Sequence, residues 1–475
     1  MAGISKHDQS TSPTGDATKE LELDHVLEML PVGFFHYRLL IMCGLCFMAD
    51  GLEVNLLAYI SQCAGDEWGL SNAEVSSIAG VVFLGITLGS FVFGVLADRI
   101  GRRKCFLLSC LLISFFGFIS GASPNVATLI IFRAIAGFGI GGANIPFDLL
   151  AEFMPISQRG QFGVYIELFW TFGSMIVAGL AWGTLDRDGW HNLAYYTAIP
   201  VAITCIASYF YLPESPRWLL IKGHHEQAKK IIEEAASLNG YKLPQFNLKA
   251  IEEIHENEKP TYRDLFGTPY LKRVTTILVS VFSLYGFTYY GMVLFVGRLY
   301  TKDDNGNVCS FDYADIFINT SAEIIGIFLS AFLLMKAGRV TTMVATYFIA
   351  GLGVLILAIP MGSGGVIFFA MVSRACIMAA SGVTWVITAE LFPTDLRTIA
   401  HCFCLAISRI AAFISPFMIY SSLNLTTIGC TLGVVNLIAC AFSYFLPETG
   451  GNLHSFQFPA AYSSSYHLLY LMSYI

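Results

Sequence analysis

Charge is what this sequence has least of. Asp, Glu, Lys and Arg make up 13% of its 475 residues, where a soluble domain carries roughly 25%. That shortfall excludes an ordinary water-solvated surface. No G-x-x-x-x-G-K-[ST] loop is present to cradle nucleotide phosphates, so ATP-driven work is unsupported. No nucleophile and base assemble, so an enzyme is not expected, and nothing suggests a nucleic-acid partner. The twelve cysteines follow no disulfide framework, and Cys402 and Cys404 share no ligand spacing with histidines, so neither metal nor cofactor is expected. Most cysteines lie inside apolar runs, where the residue behaves as a small hydrophobe. Residues 1–30 are polar and acidic and lack the basic start and apolar core of a cleaved signal peptide.

Apolar residues fill the space that charge leaves. They are 55% of the chain, and the mean hydropathy is +0.63. A bilayer's hydrocarbon layer is about 30 Å thick and takes about 20 apolar residues to cross. Its lack of water forces each crossing to close its own backbone hydrogen bonds. Twelve such segments are predicted, near 38–61, 75–97, 105–122, 127–150, 161–184 and 193–212, then 274–299, 313–335, 341–360, 364–388, 399–421 and 426–446. The predicted fold class is an all-α membrane protein of twelve transmembrane helices in two pseudo-symmetric six-helix bundles. Its parts are a tail (1–32), a first bundle (33–214), a charged linker (215–271), a second bundle (272–447) and a closing tail (448–475). The linker reads as a solvated segment lying against the cytoplasmic face rather than a separate functional domain, with short charged helices from Gly223 to Leu238 and Asn247 to Asn257.

Basic residues set the orientation. With the N-terminus inside, Arg99, Arg102, Arg103, Lys104, Arg159, Lys336, Arg339, Arg397 and ten more from Arg217 to Arg273 fall in inner loops, against Arg187, Arg298 and Lys302 outside. Both termini are therefore expected in the cytoplasm. Cys63 and Cys309 both fall outside, where a bridge between them is one option.

The chain also repeats itself. Ala151-Glu152-Phe153-Met154-Pro155 through Arg159 recurs as Ala389-Glu390-Leu391-Phe392-Pro393 through Arg397, Gly101-Arg102 as Gly338-Arg339, and Leu212-Pro213-Glu214-Ser215 as Leu446-Pro447-Glu448-Thr449. The offsets, 238, 237 and 234, are about half the chain. Two homologous halves place a binding site between them near the midplane and rock around it.

Gly94-Val95-Leu96-Ala97-Asp98-Arg99-Ile100-Gly101-Arg102-Arg103 resembles the loop between helices two and three of major facilitator transporters. Arg133-Ala134-Ile135-Ala136-Gly137-Phe138-Gly139-Ile140-Gly141-Gly142 resembles the family's R-x-x-x-G-x-G-x-G-G motif, whose glycines suit close helix approach. Pro213-Glu214-Ser215-Pro216-Arg217-Trp218-Leu219 is similar to a signature of sugar and organic-ion porters, but helix seven lacks the sugar-binding glutamines and helix five the glycine-proline motif of drug–proton antiporters. Phe47-Met48-Ala49-Asp50-Gly51-Leu52-Glu53, Tyr289-Tyr290-Gly291-Met292 and Ser408-Arg409-Ile410-Ala411-Ala412-Phe413 resemble the SVOP-type branch, related to synaptic vesicle protein two and to nicotinate and organic-ion transporters.

Asp50 and Glu53, three residues apart on helix one, share a face. Each costs roughly 2.5–3.5 kcal/mol at mid-bilayer, so both need a polar cavity, a proton or a cation. Arg133, Arg374 and Arg409 are the available cations, with Glu167 and Glu323 as further intramembrane acids; Asp148 reads as a surface group. By the resemblance, Asp50 with Arg133 is the expected coupling pair, and Asp50, Glu53 and Arg133 are assigned to proton coupling. Glu167, Trp170, Tyr285, Tyr289, Tyr290, Glu323, Arg374, Trp385 and Arg409 are assigned to a substrate cavity, the plain alternative being static salt bridges and helix packing. A cytoplasmic gate is assigned to Gly94, Asp98, Arg99, Gly101, Arg102, Arg103, Glu152, Arg159, Glu214, Arg217, Glu390 and Arg397. Glu152 is matched with Arg159 and Glu390 with Arg397. Asp98 is expected to pair with nearby arginines and to face a helix N-terminus, where the macrodipole favours an anion. Met335-Lys336-Ala337-Gly338-Arg339 lacks that acid, so only the first half is expected to carry a latch.

The reading is a secondary transporter of a small organic ion, proton-coupled and working by alternating access. It is expected to be monomeric, in the plasma membrane or an intracellular vesicle membrane. The alternative is a transporter-shaped ligand sensor or trafficking component.

Overall fold

The computed structural model describes residues 19–143, 145–155, 158–250, 261–302 and 309–449; the atypical closing tail beyond 449 lies outside them. In chain order, β1 (Lys19–Leu21) and α1 (Leu23–Met29) precede α2 (Phe34–Glu67), α3 (Asn72–Ile100), α4 (Arg102–Ser120), α5 (Val126–Ile140), α6 (Ile145–Phe153) and α7 (Arg159–Tyr211). Then come α8 (Pro216–Ile221), α9 (His225–Leu238) and β2 (Phe246–Leu248). The second half is α10 (Pro269–Leu299), α11 (Tyr313–Lys336), α12 (Arg339–Ile356), α13 (Ser363–Leu391), α14 (Thr394–Ile419) and α15 (Leu425–Tyr444).

Among the described residues, eleven helices are long and apolar enough to cross a membrane. α5 and α6 together make one of them. α7 makes two crossings. Its 53 residues would run to about 80 Å at 1.5 Å each, more than twice the hydrocarbon thickness. Gly189, with φ 77°, breaks it into two antiparallel limbs. The outward surfaces of the spans carry Phe91, Val95, Phe115, Ile203, Ile325 and Phe328, all exposed, as a lipid-facing belt requires. Within the first half, a Cβ at Gly137 would stand 2.4 Å from the Val82 carbonyl, so α5 lies directly on α3. The halves meet where α3 packs on α14, the first limb of α7 on α11, and α2 on α10.

The linker is more structured than its charge suggests. α9 forms close to the expected range, but Asn247, expected to open a helix, sits in β2, which pairs in parallel with β1; residues 251–260 lie outside the description. Leu21, Val26, Leu27, Leu219, Ile232 and Phe246 share a core of their own. The N-terminal segment and the linker thus fold together, because the apolar residues of each are too few to bury alone. Asn239, just after α9, fastens this module to the start of α2. Its side chain accepts from the Phe35 amide at 2.8 Å and donates to the Pro31 carbonyl at 2.8 Å.

The opposite face is closed. A disulfide joins Cys63, at the end of α2, to Cys309, just before α11, across a sequence separation of 246. Around it, Thr301 donates to Gln62 at 2.7 Å, Tyr59 meets Phe311 edge-on at 5.2 Å, and Tyr313 hydrogen-bonds Asp186. Each contact crosses from one half to the other.

Candidate functional site

Sharing a helix face does not give Asp50 and Glu53 the same partner. Glu53 forms a 2.5 Å pair with Arg133 of α5, inside the first half, and both side chains are at most 2% exposed. Asp50 instead approaches Arg409 of α14, in the other half, at 3.7 Å. The expected pair of Asp50 with Arg133 is not formed; Glu53, one turn along, takes the arginine. Glu53 Oε1 and the Nε and Nη2 of Arg133 remain buried without hydrogen-bond partners.

A second cluster joins five helices. Arg374 of α13 donates to Glu323 of α11 at 2.7 Å, and Glu323 also accepts from Tyr289 of α10 at 2.9 Å and from Thr171 of α7 at 3.1 Å. Trp170 donates to the Tyr289 hydroxyl at 2.6 Å, and Asn55 of α2 accepts from Arg374 at 3.3 Å. Asn55 and Thr171 were not singled out from sequence. Asn55 had a usable signal, a polar amide inside an apolar run two residues past Glu53, but Thr171 is indistinguishable from helix-packing threonines.

Between the two clusters lies a cavity of about 20 Å³ lined by Asp50, Glu167, Trp170, Tyr285, Tyr289, Tyr290, Trp385 and Arg409, with Phe47, Met378 and Ser381. That is room for about one water, so the site is collapsed around no ligand larger than that. Of the residues assigned to the cavity, Glu323 and Arg374 stand behind its wall. Arg409 lies 4.8 Å from the Tyr290 ring centroid and hydrogen-bonds its hydroxyl. Tyr285 accepts from Ser381 at 2.8 Å. Glu167 has no hydrogen-bond or ion-pair partner among the described residues, and the charged groups it feels are the acids Glu323 and Asp50. Toward the charged face the cavity is bounded by Trp385, whose ring meets Phe147 of α6 at 5.9 Å. Beyond that pair, Asp148 and Cys402 are both exposed and close enough to interact, one from each half. Asp148 is thus a surface group, as expected, but the surface is that of a cleft between the halves.

Of the residues assigned to the gate, Asp98, Gly101, Arg102, Arg103, Glu152 and Glu214 gather in one cluster, and Glu390 belongs to a matching cluster in the second half. In the first half, Arg102 pairs with Asp98 at 2.6 Å and with Glu152 at 3.5 Å, while Glu214 accepts the Arg102 and Arg103 amides at 2.8 and 3.1 Å. In the second half, Arg339 pairs with Glu390 at 2.9 Å, and Glu448 accepts the Arg339 and Val340 amides at 2.7 and 3.0 Å. Each glutamate of the L-P-E repeat therefore occupies a helix N-terminus, where the macrodipole favours an anion. The glycine before each arginine is obligatory. Gly101 and Gly338 have φ of 105° and 83°, and a Cβ would stand 2.3 and 2.9 Å from these carboxylates.

Three expectations change here. Glu214, rather than Asp98, faces the helix N-terminus. The second half carries a cluster of its own despite lacking an aspartate, because Glu390 and Glu448 suffice. The expected pairs Glu152–Arg159 and Glu390–Arg397 do not form. Arg159 is held by Asp24 of α1 at 2.8 Å, and Arg217 by the same carboxylate at 3.0 Å. Asp24 carried no sequence signal. Arg397 keeps a buried Nε without a partner. Arg99 is exposed, and Gly94 has open space around it. Among the described residues no ion pair joins the two clusters, so each braces its own half.

Comparison with known proteins agrees with this architecture. The family profile described as "Sugar (and other) transporter" matches residues 23–455. The Caenorhabditis elegans protein named for svop-1 is 34% identical over 418 residues, covering 85% of this chain and 80% of its own. Synaptic vesicle 2-related protein of Xenopus laevis is 29% identical over 469 residues, covering 93% and 83%. Organic cation/carnitine transporter 7 of Arabidopsis thaliana is 29% identical over 448 residues, covering 85% and 89%. The xylose transporter XylE of E. coli, in a partially occluded inward-open conformation, superposes with a TM-score of 0.69 at 18% identity over 88% of this chain and 99% of its own. The match over most of the chain and the shared fold place it: the chain is a multi-pass membrane protein of the sugar (and other) transporter family, of the major facilitator fold and the SVOP-type branch, and not an enzyme.

Proposed function

We propose that the chain is a secondary transporter that carries a small organic cation by alternating access, with protons as the coupling ion. The observation that carries this is Glu167, a carboxylate of an aromatic-lined cavity that has no ion-pair partner among the described residues, while the arginine lining the same cavity, Arg409, is taken by Asp50 and Tyr290. Arg374 is engaged by Glu323 and Arg409 by Asp50 and Tyr290, so neither is free to hold a substrate carboxylate. Trp170, Tyr285, Tyr290 and Trp385 offer ring faces that attract a cation, at about 0.5–2 kcal/mol each when well placed. The name of the Arabidopsis relative is in keeping with this substrate class.

The two acids of α2 divide the coupling work. The Glu53–Arg133 pair lies within one half and braces it. Asp50–Arg409 crosses between halves, so protonating Asp50 removes an attraction that rocking must break. The face bearing the charged module and most basic loop residues is taken as cytoplasmic, with the disulfide on the outer or lumenal side of a plasma or vesicle membrane. A non-transporting sensor or trafficking component is the second reading, favoured by one observation: the covalent tie across the outer ends, which opposes opening there.

The test is uptake by proteoliposomes of tetraethylammonium, nicotinate and a hexose, with wild type and Glu167→Gln. Saturable tetraethylammonium uptake, lost in the variant, is the expected result. Uptake of nicotinate alone, or cation uptake indifferent to the variant, would overturn the assignment of Glu167. Saturable binding without uptake would turn the account to the sensor.

A further inference from the structure

At the charged face, the start of α4 and the end of α7 leave a groove of about 490 Å³ between them. Leu107, Leu108 and Leu111 form one wall, and Cys205, Ile206, Tyr209 and Phe210 the other. The groove is on the lipid-facing surface, with Leu111 55% and Phe210 71% exposed, and its lining is almost wholly apolar.

Its end at the membrane surface is basic. On a helix, Lys104 shares a stripe with Leu108 and Leu111, and Arg103 shares one with Leu107, so both cations sit one turn above the leucines of the groove. Arg103 donates to the Tyr209 carbonyl at 2.6 Å and lies 6.0 Å from the Tyr209 ring centroid, which fixes its guanidinium across the groove's mouth. Its Nε is buried without a partner, and Lys104 is exposed. The nearby acid, Glu214, is already committed to the backbone amides of Arg102 and Arg103.

We infer that this groove binds one anionic glycerophospholipid of the adjoining leaflet, with an acyl chain along the leucine wall and the phosphate at Arg103 and Lys104. Charge complementarity selects this occupant. A basic mouth between transmembrane helices attracts anionic headgroups, and an apolar volume of this size needs a chain to fill it. A zwitterionic lipid brings the same phosphate but cancels it with its own cation, leaving less net negative charge to offset both side chains. A soluble phosphate compound would leave the groove to bulk lipid. The bound lipid joins α4 to the second limb of α7 beside the helix N-terminus that Glu214 caps, and so stabilises that corner of the first half.

The test is native mass spectrometry of the full chain in detergent, titrated with phosphatidylserine, phosphatidylcholine of the same chains, or glycerophosphoserine. Wild type is expected to retain one phosphatidylserine in clear preference to phosphatidylcholine. Lys104→Gln should weaken that preference about fivefold, the worth of one cation near an anionic surface. Leu108→Trp, which fills the groove, should weaken retention of both lipids, and unchanged thermal melts in lipid-free detergent would show that both variants fold. Equal retention of the two lipids, or indifference to both substitutions, would overturn the inference. Glycerophosphoserine bound as well as the whole lipid would replace the lipid with a soluble phosphate ligand.

Discussion

Replacing Arg133 with Met strands Glu53. The arginine is fully buried and Glu53 is 2% exposed, so no water takes the guanidinium's place. Breaking a buried pair by removing one partner costs about 3–5 kcal/mol, whereas replacing both charges with groups of similar volume is close to neutral. At about 2 °C per kcal/mol, the lower end for large domains, Arg133→Met should lower the melting midpoint by roughly 6–10 °C. The double variant Glu53→Gln/Arg133→Met should recover most of that loss. Tryptophan-fluorescence melts of the purified protein in one detergent measure both. A single variant as stable as wild type, or a double variant no better than the single, would refute the pairing and with it the division of labour between Asp50 and Glu53.

The glycines before the repeated arginines give a test of the internal symmetry. Gly101→Ala and Gly338→Ala should each cost about 1–3 kcal/mol, the range for strained backbone positions, and a melt indifferent to Gly338→Ala would deny the second half its capping glutamate. For Asp24, burial works against the charge, but Arg217 and Arg159 outweigh it and hold the carboxyl below its ordinary value of 3.8. Such a group stabilises above its unfolded pKa, and the contribution is lost as pH falls through the lower folded value. Protection of residues 19–32 from protease should therefore be constant from about pH 5 to 8 and fall only below about 4, while Asp24→Asn should weaken it throughout. Release of the segment within the neutral range would contradict this. Reducing the disulfide, or Cys63→Ser, should quicken hydrogen exchange at residues 58–63 and 296–301; unchanged exchange would show that the bridge does not restrain the outer face.

The crossings were legible because apolar run length is set by bilayer thickness and does not depend on partners. The halves were legible because three motifs recur at nearly one offset. Partner choice was not. Asp50 and Glu53 are neighbours on one face, yet a turn of helix sends one to α14 and the other to α5, and no one-dimensional spacing records which. The gate motifs pointed to Arg102, Glu152, Glu214 and Glu390 but not to their partners, since Glu214 reaches the amides of α4 from over a hundred residues away. The small core of the charged module was not legible because it draws on two distant segments, each with too few apolar residues to register. Asp24 has nothing in its own neighbourhood that announces two arginines.

The most direct measurement is accumulation of an organic cation in proteoliposomes under an imposed proton gradient, comparing wild type with Asp50→Asn. The account predicts gradient-driven uphill accumulation by wild type, and only downhill equilibration by a variant that cannot exchange the proton. Accumulation by both at equal rate would contradict Asp50 as the coupling acid, and accumulation by neither, with binding intact, would contradict transport itself.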